Sequence, residues 1–494
     1  MKNNFHLLLM ILWMCASCAP GVSTIAPTVS VAGSAISTPS PAPSPTDLPS
    51  PTPTPSAPKR ETIAYSLDVN MDYDAKTLAV RQQTTFANNT AIAIPAIVFA
   101  VQPNRIPGVF TLQSLSADGV PISAYSLEGQ RLQFTLPAPL LSGQTIVVDL
   151  EYSLSLPRIA QGDPNQIRPQ IFGFTDRQVN LTDWYPMLVP FSPETGWQLA
   201  DPWYYGEHLV YPLADFDVIL RFTDPASLPQ IAASAAAGPI ESGFSYRLLR
   251  ARTFSLAMGR QLQVISAEAN GVTVNSYFYP GFETAGQAVL DATLQAVKTY
   301  AELFGPYPHT TLAAVQGDFN DGMEFDGLYY LSNAFYNLYD GTRQNYLVMV
   351  AAHETCHQWW FGAVASDQAN HPWLDESIAT YCERLFYEKN DPEALSWWWA
   401  YRIDYYQPDG KMDGTVPSYG GFTPYTNATY RQGARFYEEL RQVIGDQAFF
   451  AFLKDYYAVM NGKIATPEAF FTILRAHTSA DLSPLLAKYF QKAE

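Results

Sequence analysis

Apolar and polar positions alternate with period two from Thr62 onward. Ile63, Tyr65, Leu67, Val69, Met71 and Tyr73 are apolar, with polar or small residues between them. Successive side chains of an extended backbone face opposite sides, so this stretch reads as a half-buried strand. Leu78, Val80 and Phe86 begin a second strand, and Asn88-Asn89 supplies a turn. The alternation returns after Ser142-Gly143 at Ile146, Val148, Leu150 and Tyr152, then at Val218, Leu220 and Phe222. Few segments of helical length interrupt it. Residues 61–260 are therefore expected to form an antiparallel β domain.

The period changes near Gly259. Residues 264–267 and 272–279 read as strands. Leu290, Leu294, Val297, Ala301 and Phe304 then share one helical face, and Gly305 stops the helix. Residues 311–315 and 328–332 read as strands. Most of the remaining chain reads as helix, with Thr466 capping one that has Pro467 in its first turn. There is no internal repeat. Residues 261–494 are expected to be an α+β body that becomes all-helical.

Length and composition add limits. A chain of 494 residues exceeds one ordinary domain. Aromatic residues at 14% against charged residues at 15% allow sizeable cores. The net charge of −17 argues against a nucleic-acid partner, which would need a basic face. At the amino terminus Lys2, an apolar run over 7–14 and the small residues Ala16-Ser17 make a secretory signal, too short for a membrane span. Ala16-Ser17-Cys18 resembles a bacterial lipobox, although Cys15 stands where such motifs carry Leu. Residues 1–18 are thus expected to be a lipoprotein-type signal with Cys18 lipidated, the alternative being ordinary cleavage and secretion. Residues 19–60, rich in Pro, Ser and Thr, cannot build a core and read as an extended tether. The expected place is outside the cytoplasm of a bacterium, anchored to its membrane. That setting permits a Cys356–Cys382 disulfide, but spacing alone does not bring the two together, and two buried free thiols are the expectation.

Residues 350–362 read VAAHETCHQWWFG. Residues 346–361 lack Gly and Pro and Gly362 comes next, which predicts one helix. It places His353 and His357 one turn apart, able to reach one zinc ion, with Glu354 beside them. A catalytic zinc needs a third protein ligand and an open position. The next predicted helix, capped by Asn370 with Pro372 in its first turn, carries Glu376 after 18 intervening residues. That gap lets one helix end and an antiparallel one return. Glu383 lies on the same face and can partner a ligating histidine. Taken singly, the histidines could be a chance helix surface and Glu376 an exposed glutamate.

Together these residues resemble the gluzincin zinc metallopeptidases, and within them the aminopeptidase N and leukotriene hydrolase family. The family's HE-x-x-HQWFG is similar to HETCHQWWFG here, and its WLNEGFA to WLDESIA, with Asp375 and Ser377 departing. Its Gly-Ala-Met-Glu-Asn resembles DGMEFDG, where Met323 and Glu324 match while Asp321, Gly322 and Phe325 differ. Its Tyr-x-Lys-Gly-Ala resembles TYRQGA, with Tyr430 at the tyrosine and Gln432 replacing the lysine. Asp183 to Pro186, DWYP, resembles the amino-terminal domain of shorter bacterial members. About 60 residues lie beyond Gly433, where the long members have a large helical domain.

The resemblance implies a saddle-like β domain followed by a thermolysin-like α+β domain ending in helices. It implies one Zn2+ per chain, held by His353, His357 and Glu376, with Glu354 as general base and Tyr430 as oxyanion donor. Gly322, Met323 and Glu324 would bind substrate, Glu324 anchoring the free α-amine of a peptide. The competing readings are an endopeptidase or epoxide hydrolase on the same site, or a non-catalytic surface-binding lipoprotein with a degenerate site.

Overall fold

The computed structural model describes residues 62–159, 170–319 and 321–491. The expected signal, Cys18 and the 19–60 tether lie outside the described residues. The period-two stretch forms β1 (Ile63–Asp72), whose alternate residues Ile63, Tyr65, Leu67, Val69 and Met71 are buried. It joins β2 (Thr77–Ala87), β3 (Phe110–Ala117), β4 (Val120–Pro121), β5 (Thr145–Ser155), β6 (Ala214–Phe222), β7 (Ala237–Ile240) and β8 (Gly243–Ala251) in one sheet. The order is β7-β8-β6-β1-β2-β5-β3-β4. One four-stranded sheet adds Ile97, Phe99, Leu132, Phe134 and Leu188 to the same core, and a second adds Leu181 and Leu256. One neighbour pair departs from the antiparallel expectation: β1 and β6 run parallel, from Ile63 opposite Ala214 to Met71 opposite Phe222. The chain reaches β6 by a long connection, and no hairpin dictates its direction.

The second body opens with β9 (Gln263–Ala269) and β10 (Val272–Phe278), followed by α1 (Glu283–Leu303) and then β11 (Thr311–Gly317), β12 (Met323–Phe325) and β13 (Leu328–Ser332). The strand order is β9-β10-β11-β13-β12. Glu324, which the sequence leaves just ahead of a strand, lies within one: β12 pairs with β13 through Met323–Tyr330, Glu324–Tyr329 and Phe325–Leu328. β12 is the sheet edge, so its other side is unpaired within the sheet.

Two helices cross behind this sheet and share its core. α2 (Tyr346–Cys356) begins where the Asn345 side chain accepts from the Leu347 N–H at 2.9 Å. It does not run to Phe361 as expected. After Cys356 the N–H groups of Gly362, Ala363 and Val364 donate to the carbonyls of His357, Gln358 and Trp359, a wider spacing that turns Trp359 and Trp360 into the core. α3 (Trp373–Asn390) starts without the expected Asn370 cap. Asn370 binds Asp367 instead, through its backbone N–H at 3.1 Å and its Nδ2 at 2.9 Å. α4 (Gly433–Ile444), α5 (Asp446–Met460) and α6 (Pro467–Ala476) follow, Thr466 accepting from the Ala469 N–H at 3.3 Å, and a short helix at Ser483–Tyr489 comes last among the described residues. Among the described residues no helix is long and apolar enough to cross a membrane.

Arg252, 1% exposed, joins the two bodies. Its guanidinium donates to the carbonyls of Tyr211, Gly362, Ala363 and Lys463 at 2.9–3.2 Å, and its backbone N–H to Asp326. Those bonds fix the turn after α2 against the β domain and against the loop between β12 and β13.

Candidate active site

His353 sits in the last turn of α2 and His357 just past its end. The His357 N–H still bonds to the His353 carbonyl at 3.3 Å, so the helical phase persists and both rings point the same way. Their Nε2 atoms are 3.1 Å apart. Glu376, in the first turn of α3, brings Oε2 to 3.3 Å from His353 Nε2 and 3.5 Å from His357 Nε2. A tetrahedral ion about 2.0–2.1 Å from each donor would need donor separations of about 3.3–3.4 Å. The triangle fits a zinc ion.

The remaining ring nitrogens are tied outward. His353 Nδ1 lies 2.8 Å from Glu383 Oε1, and His357 Nδ1 lies 2.7 Å from Asp375 Oδ1 and 3.1 Å from the Trp360 carbonyl. Each bond leaves Nε2 as the inward atom. Glu383 is itself saturated: Trp398 Nε1 donates to it at 2.8 Å, Arg402 Nε at 3.0 Å and Arg402 Nη2 at 2.8 Å. Electrostatics favour a cation here. Burial opposes charging His353, yet Glu376 and Glu383 outweigh it and lift its pKa to about 9. Burial likewise opposes charging His357, and Glu324 and Asp375 raise it well above the usual range. Burial would raise Glu376, but its bonds to the two histidines hold it well below.

Glu354 is buried beside the triad. Burial pushes its pKa up to about 8, against the lowering effect of His353 and His357. Its Oε2 has no hydrogen-bond partner among the described residues. Gly322 faces the same carboxylate so closely that a Cβ there would overlap Glu354 Oε1. Tyr430 stacks on His353 with ring centres 6.1 Å apart and an interplanar angle of 7°. Burial first, then Glu376 and Tyr425, raise its pKa well above the ordinary phenol, so the hydroxyl stays a donor. It lies on a widened helical turn, Asn427–Gln432.

Glu324 is 6% exposed and accepts from Gln368 Nε2 at 3.2 Å. Burial raises its pKa, with His357 opposing. With Met323, Phe325, Phe361 and Gln368 it lines a cavity of about 380 Å³, whose other wall comes from the β domain at Thr182, Asp183 and Tyr211. The structure thus gathers His353, Glu354, His357, Glu376, Glu383, Gly322, Met323, Glu324 and Tyr430 at one place.

Several neighbours escape sequence reasoning. Asp375 reads there only as a departure from a motif, although it sits next to Glu376. Nothing in the sequence points to Gln368, Trp398 or Arg402. The free-thiol expectation is corrected: Cys356 and Cys382 are joined as a disulfide, their Cα atoms 6.3 Å apart. The reason is placement, since one precedes His357 and the other precedes Glu383 on packed helices.

Residues 288–489 match the family model described as the peptidase family M1 domain. Among curated relatives, aminopeptidase M1-D of Oryza sativa subsp. japonica is 27% identical over 226 residues, which is 41% of this chain and 25% of that protein. Puromycin-sensitive aminopeptidase of Caenorhabditis elegans is 34% identical over 146 residues, 28% of this chain and 15% of that protein. The chain thus spans a quarter or less of the length of these relatives. A solved M1 zinc metallopeptidase from Deinococcus radiodurans superposes with a TM-score of 0.63 at 19% identity, covering 88% of this chain and 96% of that one. At that identity the likeness is one of fold.

Proposed function

We propose that this chain, whose residues 288–489 match the peptidase family M1 domain, is a zinc aminopeptidase that releases residues from peptides with a free amino terminus. One observation carries the reading: a buried carboxylate, Glu324, lies beside the metal-ligating set. Donor atoms of Glu324, Glu354 and His357 fall within 4.8 Å of one another. The α-nitrogen and carbonyl carbon of one residue are about 2.5 Å apart. A substrate whose ammonium pairs with Glu324 therefore brings only its first peptide bond to the triad.

His353, His357 and Glu376 would hold the zinc. Bound there, it supplies a Lewis acid that polarises a carbonyl and acidifies water. The chain's own groups do the rest. Glu354 would take a proton from the attacking water on its free Oε2, as the water oxygen bonds to the carbonyl carbon, and pass it to the leaving nitrogen as the C–N bond breaks. Tyr430 donates its hydroxyl to the developing oxyanion. The substrate backbone adds along the open edge of β12. An internal peptide bond would leave Glu324 desolvated and unpaired, which disfavours endopeptidase action.

The test is a panel of aminoacyl-coumarins and their N-acetylated counterparts, with and without chelator. Free-amine substrates should turn over, chelator should stop it, and Glu354→Gln should abolish turnover while keeping stoichiometric zinc. Equal hydrolysis of the acetylated series would overturn the reading. We also propose that Cys18 carries lipid and tethers the enzyme outside the cytoplasm; labelled palmitate should enter the wild type and not Cys18→Ala.

A further inference from the structure

Gln368 lies between α2 and α3, is 4% exposed, and has no part in the chemistry above. Its Nε2 donates to Glu324 Oε1 at 3.2 Å and to Asp375 Oδ2 at 2.9 Å. Asp375 Oδ1 lies 2.7 Å from His357 Nδ1. An unbroken line of hydrogen bonds thus runs from the cavity wall to a metal-ligating ring. The amide is oriented with its NH2 toward the two carboxyl groups, where one donor end meets two acceptors. Its Oε1 is buried with no partner among the described residues. A carboxamide kept for packing would satisfy both ends. This one uses only its donor end, and divides it between two carboxyl groups that serve different parts of the site.

We propose that Gln368 is a positioning residue that sets the amine-anchoring carboxylate and the ligand-orienting carboxylate in one register, so that amine recognition and metal binding share a single support. The inference rests on the reading of Glu324 as amine anchor. Without the shared donor the two carboxylates have no common partner. Glu324 is then free to turn from the cavity, and Asp375 loses the bond that aims its other oxygen at His357.

The test compares Gln368→Met, similar in shape but without a donor, with the wild type and with Glu324→Ala. Two quantities are read: the ratio of kcat/KM for free-amine over N-acetylated aminoacyl-coumarins, and zinc affinity by chelator competition on the protein without substrate. Gln368→Met should raise KM for the free-amine substrate roughly tenfold with kcat changed by less than about twofold, lowering the ratio. Zinc affinity should fall by about tenfold. A fall in thermal stability with both quantities unmoved would mean a merely structural glutamine and overturn the proposal. If Glu324→Ala collapses the ratio and Gln368→Met does not, the inference fails while the anchor stands. If Glu324→Ala leaves the ratio intact, the anchor reading fails and the inference with it. Should Gln368→Met not fold, Gln368→Asn keeps the amide but shortens its reach, and the same two readouts decide.

Discussion

Glu383→Gln is the sharpest perturbation of the proposed metal-binding set that leaves every proposed ligand in place. The carboxylate receives four donors: His353 Nδ1 and Arg402 Nη2 on Oε1, Trp398 Nε1 and Arg402 Nε on Oε2. An amide has one acceptor end. If its oxygen keeps His353, its NH2 meets the Trp398 and Arg402 Nε donors; if it turns over, His353 loses its acceptor. Either way two donors go unmet and the half-buried Arg402 loses part of its counter-charge. Breaking a buried pair from one side costs about 3–5 kcal/mol. At roughly 2–4 °C per kcal/mol for a body of this size, the metal-free protein should melt about 6–20 °C lower. Loss of an outer partner of a ligating histidine lowers metal affinity by about 10–100-fold. Calorimetry of the metal-free protein and chelator competition measure the two effects separately. An unchanged Tm together with unchanged zinc affinity would refute the reasoning, because it would mean the four bonds neither hold the helices nor orient His353.

Zinc held as proposed by His353 and His357 would have to displace their protons, and both pKa values are raised, His353 to about 9. Apparent zinc affinity should therefore climb with pH up to about 9, and competition titrations that come out flat from pH 6 to 9 would contradict it. The sign reverses for the metal-free fold. A histidine whose pKa is raised on folding adds stability that is fully present below its unfolded pKa of about 6.5 and is lost as pH rises through its folded value. Metal-free Tm should thus fall between about pH 6.5 and 9, as thermal scans across that range would register. The Cys356–Cys382 link closes a loop of 26 residues in sequence; chain-entropy arguments put its loss at about 3.5 kcal/mol. Cys356→Ser with Cys382→Ser should lower the denaturant midpoint accordingly, and an unchanged midpoint would show that the link carries no stability.

The sequence reveals the β domain because one face of each strand is buried and the other is not, which imprints period two on residues 63–71. It misses the parallel β1–β6 pair, because pairing between distant strands leaves no local pattern. It overextends α2, since absence of Gly and Pro signals only that a helix is allowed. Burial of Trp359 and Trp360 decides where it ends. For the site, the spacing of His353, His357 and Glu376 is local enough to read. Gln368, Trp398 and Arg402 are not, because their role comes from where separate loops meet. The cystine escapes for the same reason, since proximity between helices has no signature in either one.

The motif departures in this chain fit together once side chains are placed. Ser377 donates to the Thr429 carbonyl at 2.6 Å, one residue before Tyr430. Gly433 faces Ser377 so tightly that a Cβ there would overlap it. The serine thus ties the ligand helix to the segment bearing Tyr430, and the glycine leaves the space it needs. Gly322 stands in the same relation to Glu354: the missing side chain on the β12 side accommodates the carboxylate on α2. Asp375 brings a further buried carboxylate, and Gln368 supplies the donor that it shares with Glu324. In each case an unusual residue is matched by a neighbour that gives it room or a hydrogen bond. Most buried polar groups in folded proteins are so satisfied. A site in decay would lose these pairings one side at a time. Here both sides of each pair stand, around Glu354 and Tyr430 alike, which weighs against the degenerate, non-catalytic reading more than either residue would alone.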